Sequence, residues 1–173
     1  VLDQNYQLGE FELIVVDGMS DDKTVEIIQG IAKSDPRLRL IENPKRITPA
    51  AMNLGIAAAK YDLILRLDAH AIAMDGFISN SVEAIMQDEN ICCAGGKIHN
   101  VYHNTMSSRI GAAMGSVFGV GNATFRVGGE ESYVDTVAFG IFRKKVLNEV
   151  GGYDETLVRN EDDDLSYRMI QAG

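Results

Sequence analysis

Cysteine is scarce in this chain. Cys92 and Cys93 are the only two, and they are neighbours inside the apolar run Ile91 to Ala94. Adjacent residues are poorly placed for a structural disulfide, so the pair reads as two small buried hydrophobes in a reducing compartment. Basic blocks are also missing. With 16 Lys and Arg against 25 Asp and Glu, a net charge of -9 and no interleaving of aromatic and basic residues, a nucleic-acid partner held through its phosphates is not expected. A bound anion would need a metal or local basic groups. Long hydrophobic runs are absent too: the longest uncharged stretch, Ile110 to Phe125, is Gly-rich and shorter than the ~18 apolar residues that suggest a membrane span. No signal peptide opens the sequence, and no repeat, low-complexity tract or linker marks a second domain. These absences together predict a cytoplasmic module with residues 1–173 in a single domain.

What the chain does have is an ordinary globular composition, 46% apolar and 24% charged over 173 residues, and a regular alternation in its first half. Phe11 to Val16 is a continuous apolar run closed by Asp17-Gly18, the pattern of a parallel strand buried on both faces. Ser20, Asp21 and Asp22 are placed to cap a helix carrying Val25, Ile28 and Ala32, which Pro36 ends. Arg37 to Glu42 reads as the second strand. Thr48-Pro49 predicts a helix start with Ala51, Leu54 and Ala58 as its buried stripe. Leu63 to Leu67 is the next strand, and Asp75 is expected to cap a helix burying Ile78, Val82, Ile85 and Met86. The second half is less regular. A helix over Met106 to Phe118 would align Gly111 and Gly115, with Gly119 next in the series. Thr136 to Phe142 reads as a strand, Lys144 to Val150 as a short helix ended by Gly151-Gly152, and Asp162 to Gln171 as the final helix. The alternation predicts an α/β fold with a mostly parallel sheet covered on both sides, whose ligands bind beyond the carboxyl ends of the strands.

Two acidic clusters stand where such a fold puts chemistry. Glu161-Asp162-Asp163-Asp164 are four consecutive carboxylates at a helix start, and Asp68-Ala69-His70 closes a strand, as Asp17 does. Packed carboxylates repel one another, so any that point into a cleft need a cation, a proton or a hydroxyl to receive them, which suggests metal-assisted group transfer. Each cluster also has a plainer reading. Acids at a helix start complement its dipole, Asp17 suits a turn, and Asp164 suits a cap or supporting group. Arg46, in Asn43-Pro44-Lys45-Arg46, could meet a phosphate, although loop arginines are usually just solvated. His99 and His103 read as surface histidines, lacking an acidic neighbour in sequence.

Four pieces in this order carry a resemblance: Phe11 to Thr24 (FELIVVDGMSDDKT); Asn53 to Ala57 with the strand to His70 (YDLILRLDAH); Gly140 to Asp154 (GIFRKKVLNEVGGYD); and Glu161 to Arg168 (EDDDLSYR). Together they span nearly the whole chain, which resembles the family 2 inverting glycosyltransferases. Its variants Asp-Gly-Met-Ser and Asp-Ala-His are most similar to the branch that builds succinoglycan-type exopolysaccharides. The resemblance implies a GT-A, Rossmann-like fold acting on nucleotide-diphosphate sugars, UDP-sugars favoured. In its terms Asp17 matches the aspartate that binds the nucleotide base. Asp68 matches the first acid of the Asp-X-Asp element that holds ribose and the metal-diphosphate. Asp162 matches the catalytic base, and Glu161, Gly140 and Asp164 fall on the acceptor side or in support. Arg46 is assigned to nucleotide binding.

The chain departs from the family pattern at three places. His70 replaces the last Asp-X-Asp acid, and imidazole suits manganese better than magnesium, so Asp68 and His70 are expected to ligate Mn2+ or Mg2+ with manganese preferred. Gly18 stands where many relatives carry a second acid, leaving base recognition to Asp17. Relatives also have a first strand and helix before the equivalent of Leu2 and continue past the last motif, so the chain is expected to be a GT-A domain truncated at both ends. The resemblance further implies a glycan or lipid-linked oligosaccharide acceptor at the inner face of the cell membrane, with any membrane association through regions absent from this sequence. Competing readings are a sugar-phosphate nucleotidyltransferase, whose Gly-rich phosphate loop is missing; a glycoside hydrolase, which has no use for a nucleotide pocket; and a non-catalytic nucleotide- or sugar-binding module.

Overall fold

In the computed structural model of the chain, residues 1–4, 6–7, 9–99, 101, 132–134, 136–137 and 139–172 are described. The expected helix over Met106 to Phe118 and the His103 reading lie outside these residues.

The apolar run before Asp17 becomes β1 (Leu13–Asp17), parallel to β2 (Leu38–Glu42), with Leu13 opposite Leu38 and Asp17 opposite Glu42. Parallel partners require a crossover, and α1 (Thr24–Ala32) supplies it. Helix α2 (Thr48–Ala58) follows and packs on β1, with Gly55 near the Val16 side chain. A second sheet holds β3 (Leu63–Leu65), β4 (Cys93–Ala94) and β5 (Ile141–Arg143), with β5 in the centre and antiparallel to both neighbours. Thus β1 and β2 are parallel, β3 and β4 run the same way as each other, and β5 is the strand that reverses. Helix α3 (Phe77–Met86) lies before β4, α4 (Lys144–Glu149) continues directly from β5, and α5 (Glu161–Ala172) is the last element.

The core forms where α2, β5, α4 and α5 meet: Ile56, Phe142, Leu147, Tyr153, Leu165 and Met169 are buried together, with Met52, Ile64, Cys92 and Cys93 packed against them. Both cysteines are free thiols, as expected, and burial pushes the Cys93 thiol well above its usual range.

Several local expectations are corrected. β1 is half-buried from Leu13 to Val16 and not buried on both faces, because among the described residues it has a single strand partner. Ser20 does not cap α1; its side chain turns back to Asp17, and Asp22 Oδ1 instead accepts the Thr24 N–H at 2.8 Å. Thr48 is the first helical residue of α2 and not its cap, and the buried face runs through Pro49, Ala50 and Ile56 while Leu54 is exposed. Gly76, and not Asp75, occupies the cap position of α3, whose Met86 is exposed. The strand expected from Thr136 shortens to Ile141–Arg143.

Candidate active site

The strand expected over Leu63 to Leu67 ends at Leu65, and Arg66 and Asp68 follow it directly, with the side chains of the two in contact. The Arg66 N–H donates to Gly140 O at 3.0 Å, which extends the β3–β5 ladder by one rung and fixes the arginine backbone at the strand end. Gly140 lies close under this rung: a Cβ there would stand 2.7 Å from Cys93 Sγ, so only glycine lets β5 approach β4 at this level. Gly140 therefore has an evident packing role.

On α5, Asp162 shares a face with Leu165 and Met169, spaced by three and four residues, and both are buried. Burying that stripe brings Asp162 inward, and its Oδ1 accepts a hydrogen bond from Arg66 Nη1. Arg66 Nε donates to Asp68 Oδ1 at 3.1 Å. One guanidinium thus joins carboxylates 94 residues apart in sequence, those of Asp68 and Asp162. The Arg66 side chain is 10% exposed and Asp162 is 38% exposed. Burial alone would favour neutral Arg66, but the fields of Asp162, the Tyr153 phenol and Asp68 more than offset it and keep the guanidinium charged. Burial raises Asp162 above the usual carboxylate range, against the pull of Arg66. Tyr153, buried beneath with its ring centroid 6.0 Å from Arg66 Cζ, has its phenol pushed up to about 12 by burial.

Asp17 is placed differently. It is buried at the end of β1, and Ser20 donates its N–H to Oδ2 at 2.9 Å and its hydroxyl to Oδ1 at 2.5 Å. The Ser20 hydroxyl and amide hold its carboxyl below the ordinary value. Arg46 lies beside this loop, its Cα 3.9 Å from where a Gly18 Cβ would be. A relay joins the loop to the arginine cluster: the Asn43 N–H bonds Asp17 O, Lys45 pairs with Glu155, and Asn53 Nδ2 donates to both Glu155 Oε1 and Tyr153 O while Asn53 Oδ1 accepts the Tyr153 N–H. Gly152, at φ +70, passes so near Asn53 Oδ1 that a Cβ would meet it at 2.6 Å. The motif pieces around Asn53 and Gly152 are thus one joint that seats Tyr153.

The remaining expected residues sort by what they touch. Asp164 accepts two bonds from Arg168, whose Nη1 also reaches Val150 O, so its interactions are those of a structural pair. Glu161 is half-buried in the same first turn. His70 is exposed and stacks edge-on with Phe139 at 6.3 Å. His99 is exposed, as expected. Among the described residues no group of three His, Cys, Asp or Glu side chains converges on a metal position. Asp68 and His70 supply one oxygen and one nitrogen donor two residues apart, a set that fits a cation whose other ligands are substrate phosphates and water. A cleft of about 330 Å³ opens on the adjoining face of α5, lined by Thr136, Asp163, Tyr167 and Ile170. Sequence reasoning missed Arg66, Tyr153 and Asn53. The available signal was a lone arginine inside the apolar run Leu63 to Leu67, where an unpaired charge is costly.

A strand-end arginine joins two carboxylates on an α/β frame whose first strand ends in a buried aspartate, and the likeness to solved glycosyltransferase structures gives that frame as the GT-A fold. The chain matches the model for glycosyl transferase family 2 over residues 1–151 and belongs to that family. The match stops short of α5, so the placement of Asp162 rests on geometry. Among curated proteins, the chain is 32% identical over 165 residues to the succinoglycan biosynthesis protein ExoA of Rhizobium meliloti, covering 93% of this chain and 49% of that protein. It is 26% identical over 177 residues to a dolichyl N-acetyl-alpha-D-glucosaminyl phosphate 3-beta-D-2,3-diacetamido-2,3-dideoxy-beta-D-glucuronosyltransferase of Methanococcus voltae, covering 98% of this chain and 55% of that one. Among solved structures, S. aureus TarS in complex with UDP superposes with a TM-score of 0.70 at 18% identity, covering 96% of this chain and 47% of that one. GalNAc-T7 with UDP, GalNAc and Mn2+ gives 0.64 at 17% identity, covering 94% and 34%. The chain spans about half the length of the curated relatives it matches.

Proposed function

We propose that this chain transfers a sugar from a nucleotide-diphosphate sugar, a UDP-sugar by preference, to a hydroxyl of a glycan or lipid-linked oligosaccharide, with inversion at the anomeric carbon. The observation that carries this reading is Arg66 holding Asp68 and Asp162 at one strand end. The family match favours sugar transfer over nucleotidyl transfer, hydrolysis or passive binding. UDP in the TarS structure supports the donor class, and the ExoA relative supports exopolysaccharide or other cell-surface glycan synthesis. The site of action in this reading is the inner face of the cell membrane. No helix among the described residues is long and apolar enough to cross a membrane.

In this reading Asp17 receives the base with the lone pairs that Ser20 leaves free, and Arg46 at the neighbouring loop meets the nucleotide. Asp68 and His70 would hold a divalent cation, which when bound supplies positive charge against the departing diphosphate. Asp162 takes the proton of the acceptor hydroxyl as it attacks the face of the sugar opposite the leaving group, so one displacement inverts the centre. Residues 1–173 belong to a single GT-A domain in this reading.

The test uses the longest native chain carrying this sequence and a panel of labelled nucleotide sugars, with Asp162→Asn beside the wild type. Turnover should fall ~10²–10⁴-fold in the variant while nucleotide binding persists. Undiminished turnover by Asp162→Asn, or failure to bind any nucleotide sugar, would overturn the assignment.

A further inference from the structure

Arg66 lies in none of the roles assigned above, yet the site is organised around it. We propose that Arg66 is a positioning residue: its guanidinium fixes the Asp162 carboxylate against the strand end that carries Asp68, so that Oδ2 of Asp162 is the oxygen presented to the acceptor hydroxyl. The inference rests on the reading of Asp162 as the base.

Three observations carry it. The arginine is itself immobilised. Its N–H is bonded to Gly140 O, its side chain is nine-tenths buried, and its Cζ sits 6.0 Å from the centroid of the buried Tyr153 ring, whose backbone Asn53 clamps through both N–H and C=O. Asp162, by contrast, is only partly buried in the first turn of α5, where the neighbouring Glu161 carboxylate repels it. A buried guanidinium at the strand end therefore holds a partly exposed carboxylate in the first turn of a helix. Finally, the two carboxylates use different nitrogens, Nε for Asp68 and Nη1 for Asp162, so the planar fork fixes the angle between them as well as their distance. Lysine, a point charge on a flexible stem, could neutralise both acids without fixing that angle.

A salt bridge serving only stability would leave the chemical step alone, and this separates the alternatives. Arg66→Met, Arg66→Lys, Asp162→Asn and the Arg66→Met/Asp162→Asn double variant are compared for kcat, for KM of the nucleotide sugar, for UDP binding and for Tm. Arg66→Met should lower kcat by ~10²-fold, the scale of a misplaced catalytic group, with UDP binding retained. Arg66→Lys should fall between Arg66→Met and wild type, and the double variant should be no slower than Asp162→Asn alone. The proposal is overturned if Arg66→Met lowers Tm with kcat intact, or if the two losses multiply in the double variant. Should Arg66→Met fail to bind UDP, Arg66→Lys decides, since wild-type kcat in that variant also overturns it. Wild-type turnover by Asp162→Asn removes the base assignment and this proposal with it, whereas a slow Asp162→Asn with multiplying losses removes the role of Arg66 alone.

Discussion

Asp162 accepts a proton only when ionised, and its burial makes ionisation harder than for a free aspartate. The acid limb of the kcat/KM profile is therefore expected above the ordinary carboxylate value of 3.8, with activity falling as pH drops through the raised pKa. Arg66 opposes the rise, so Arg66→Met should move the limb to still higher pH. A limb at the ordinary value in the wild type would show that another group limits the rate. His70 makes a second residue-level prediction. If it ligates the cation beside Asp68, manganese should support more activity than magnesium, and His70→Ala should narrow that preference. Equal rates with both ions, unchanged in His70→Ala, would leave His70 as the exposed partner of Phe139 and nothing more. At this scale the sequence singled out Asp17 at the end of β1, Asp68 three residues past β3 and Asp162 in the first turn of α5. It did not mark their common partner, since an arginine in an apolar run shows its purpose only once the carboxylates that neutralise it are in place.

Strand β5 does more for the site than its three residues suggest. It reverses direction between β3 and β4, places Gly140 O under Arg66, and leads straight into α4. Gly140→Ala would drive a methyl group against Cys93 Sγ, 2.7 Å away, and separate β5 from β4. Overpacking of this kind costs about 1–3 kcal/mol, so a denaturant melt should show reduced stability, and kcat should fall as the rung holding Arg66 shifts. Unchanged stability and rate would mean that the strands part without moving Arg66. Elements with strong local signals were legible: the closed apolar run of β1, Thr48-Pro49 at the start of α2, and the extent of α5. The caps were less so: Asp22, one of three candidates, does accept an N–H at the start of α1, whereas Ser20, Thr48 and Asp75 do not cap, because the choice follows the path of the incoming chain. Ser20, for example, is withdrawn from capping by the carboxylate of Asp17.

Across the whole molecule, buried acids couple the fold to pH. Glu12, its side chain 7% exposed, takes the Lys60 N–H at 2.6 Å and an Arg39 guanidinium bond at 2.8 Å, joining β1 to β2 and the end of α2. Burial would raise its pKa, but these bonds and charges outweigh it, so the value is lowered, as Ser20 lowers that of Asp17. A lowered carboxyl binds fewer protons folded than unfolded. Its stabilising contribution is present above the unfolded values, 4.5 for Glu12 and 3.8 for Asp17, and is lost as pH falls through the lower folded ones. Stability to denaturant should therefore decline on acidification below those values, and Glu12→Gln should flatten the decline. An equally steep loss in Glu12→Gln would place the acid sensitivity elsewhere. The sequence by itself determined the α/β class, the family and the acids worth testing, because apolar periodicity and motif order are properties of the chain read locally and in succession. Only the tertiary structure decided that Asp68 and Asp162 share one guanidinium while Asp17 is tied to them through Asn43, Lys45, Glu155 and Asn53. Those pairings span up to 110 residues, and which charges meet at such separations is set by how the buried faces of β5, α4 and α5 close on one another.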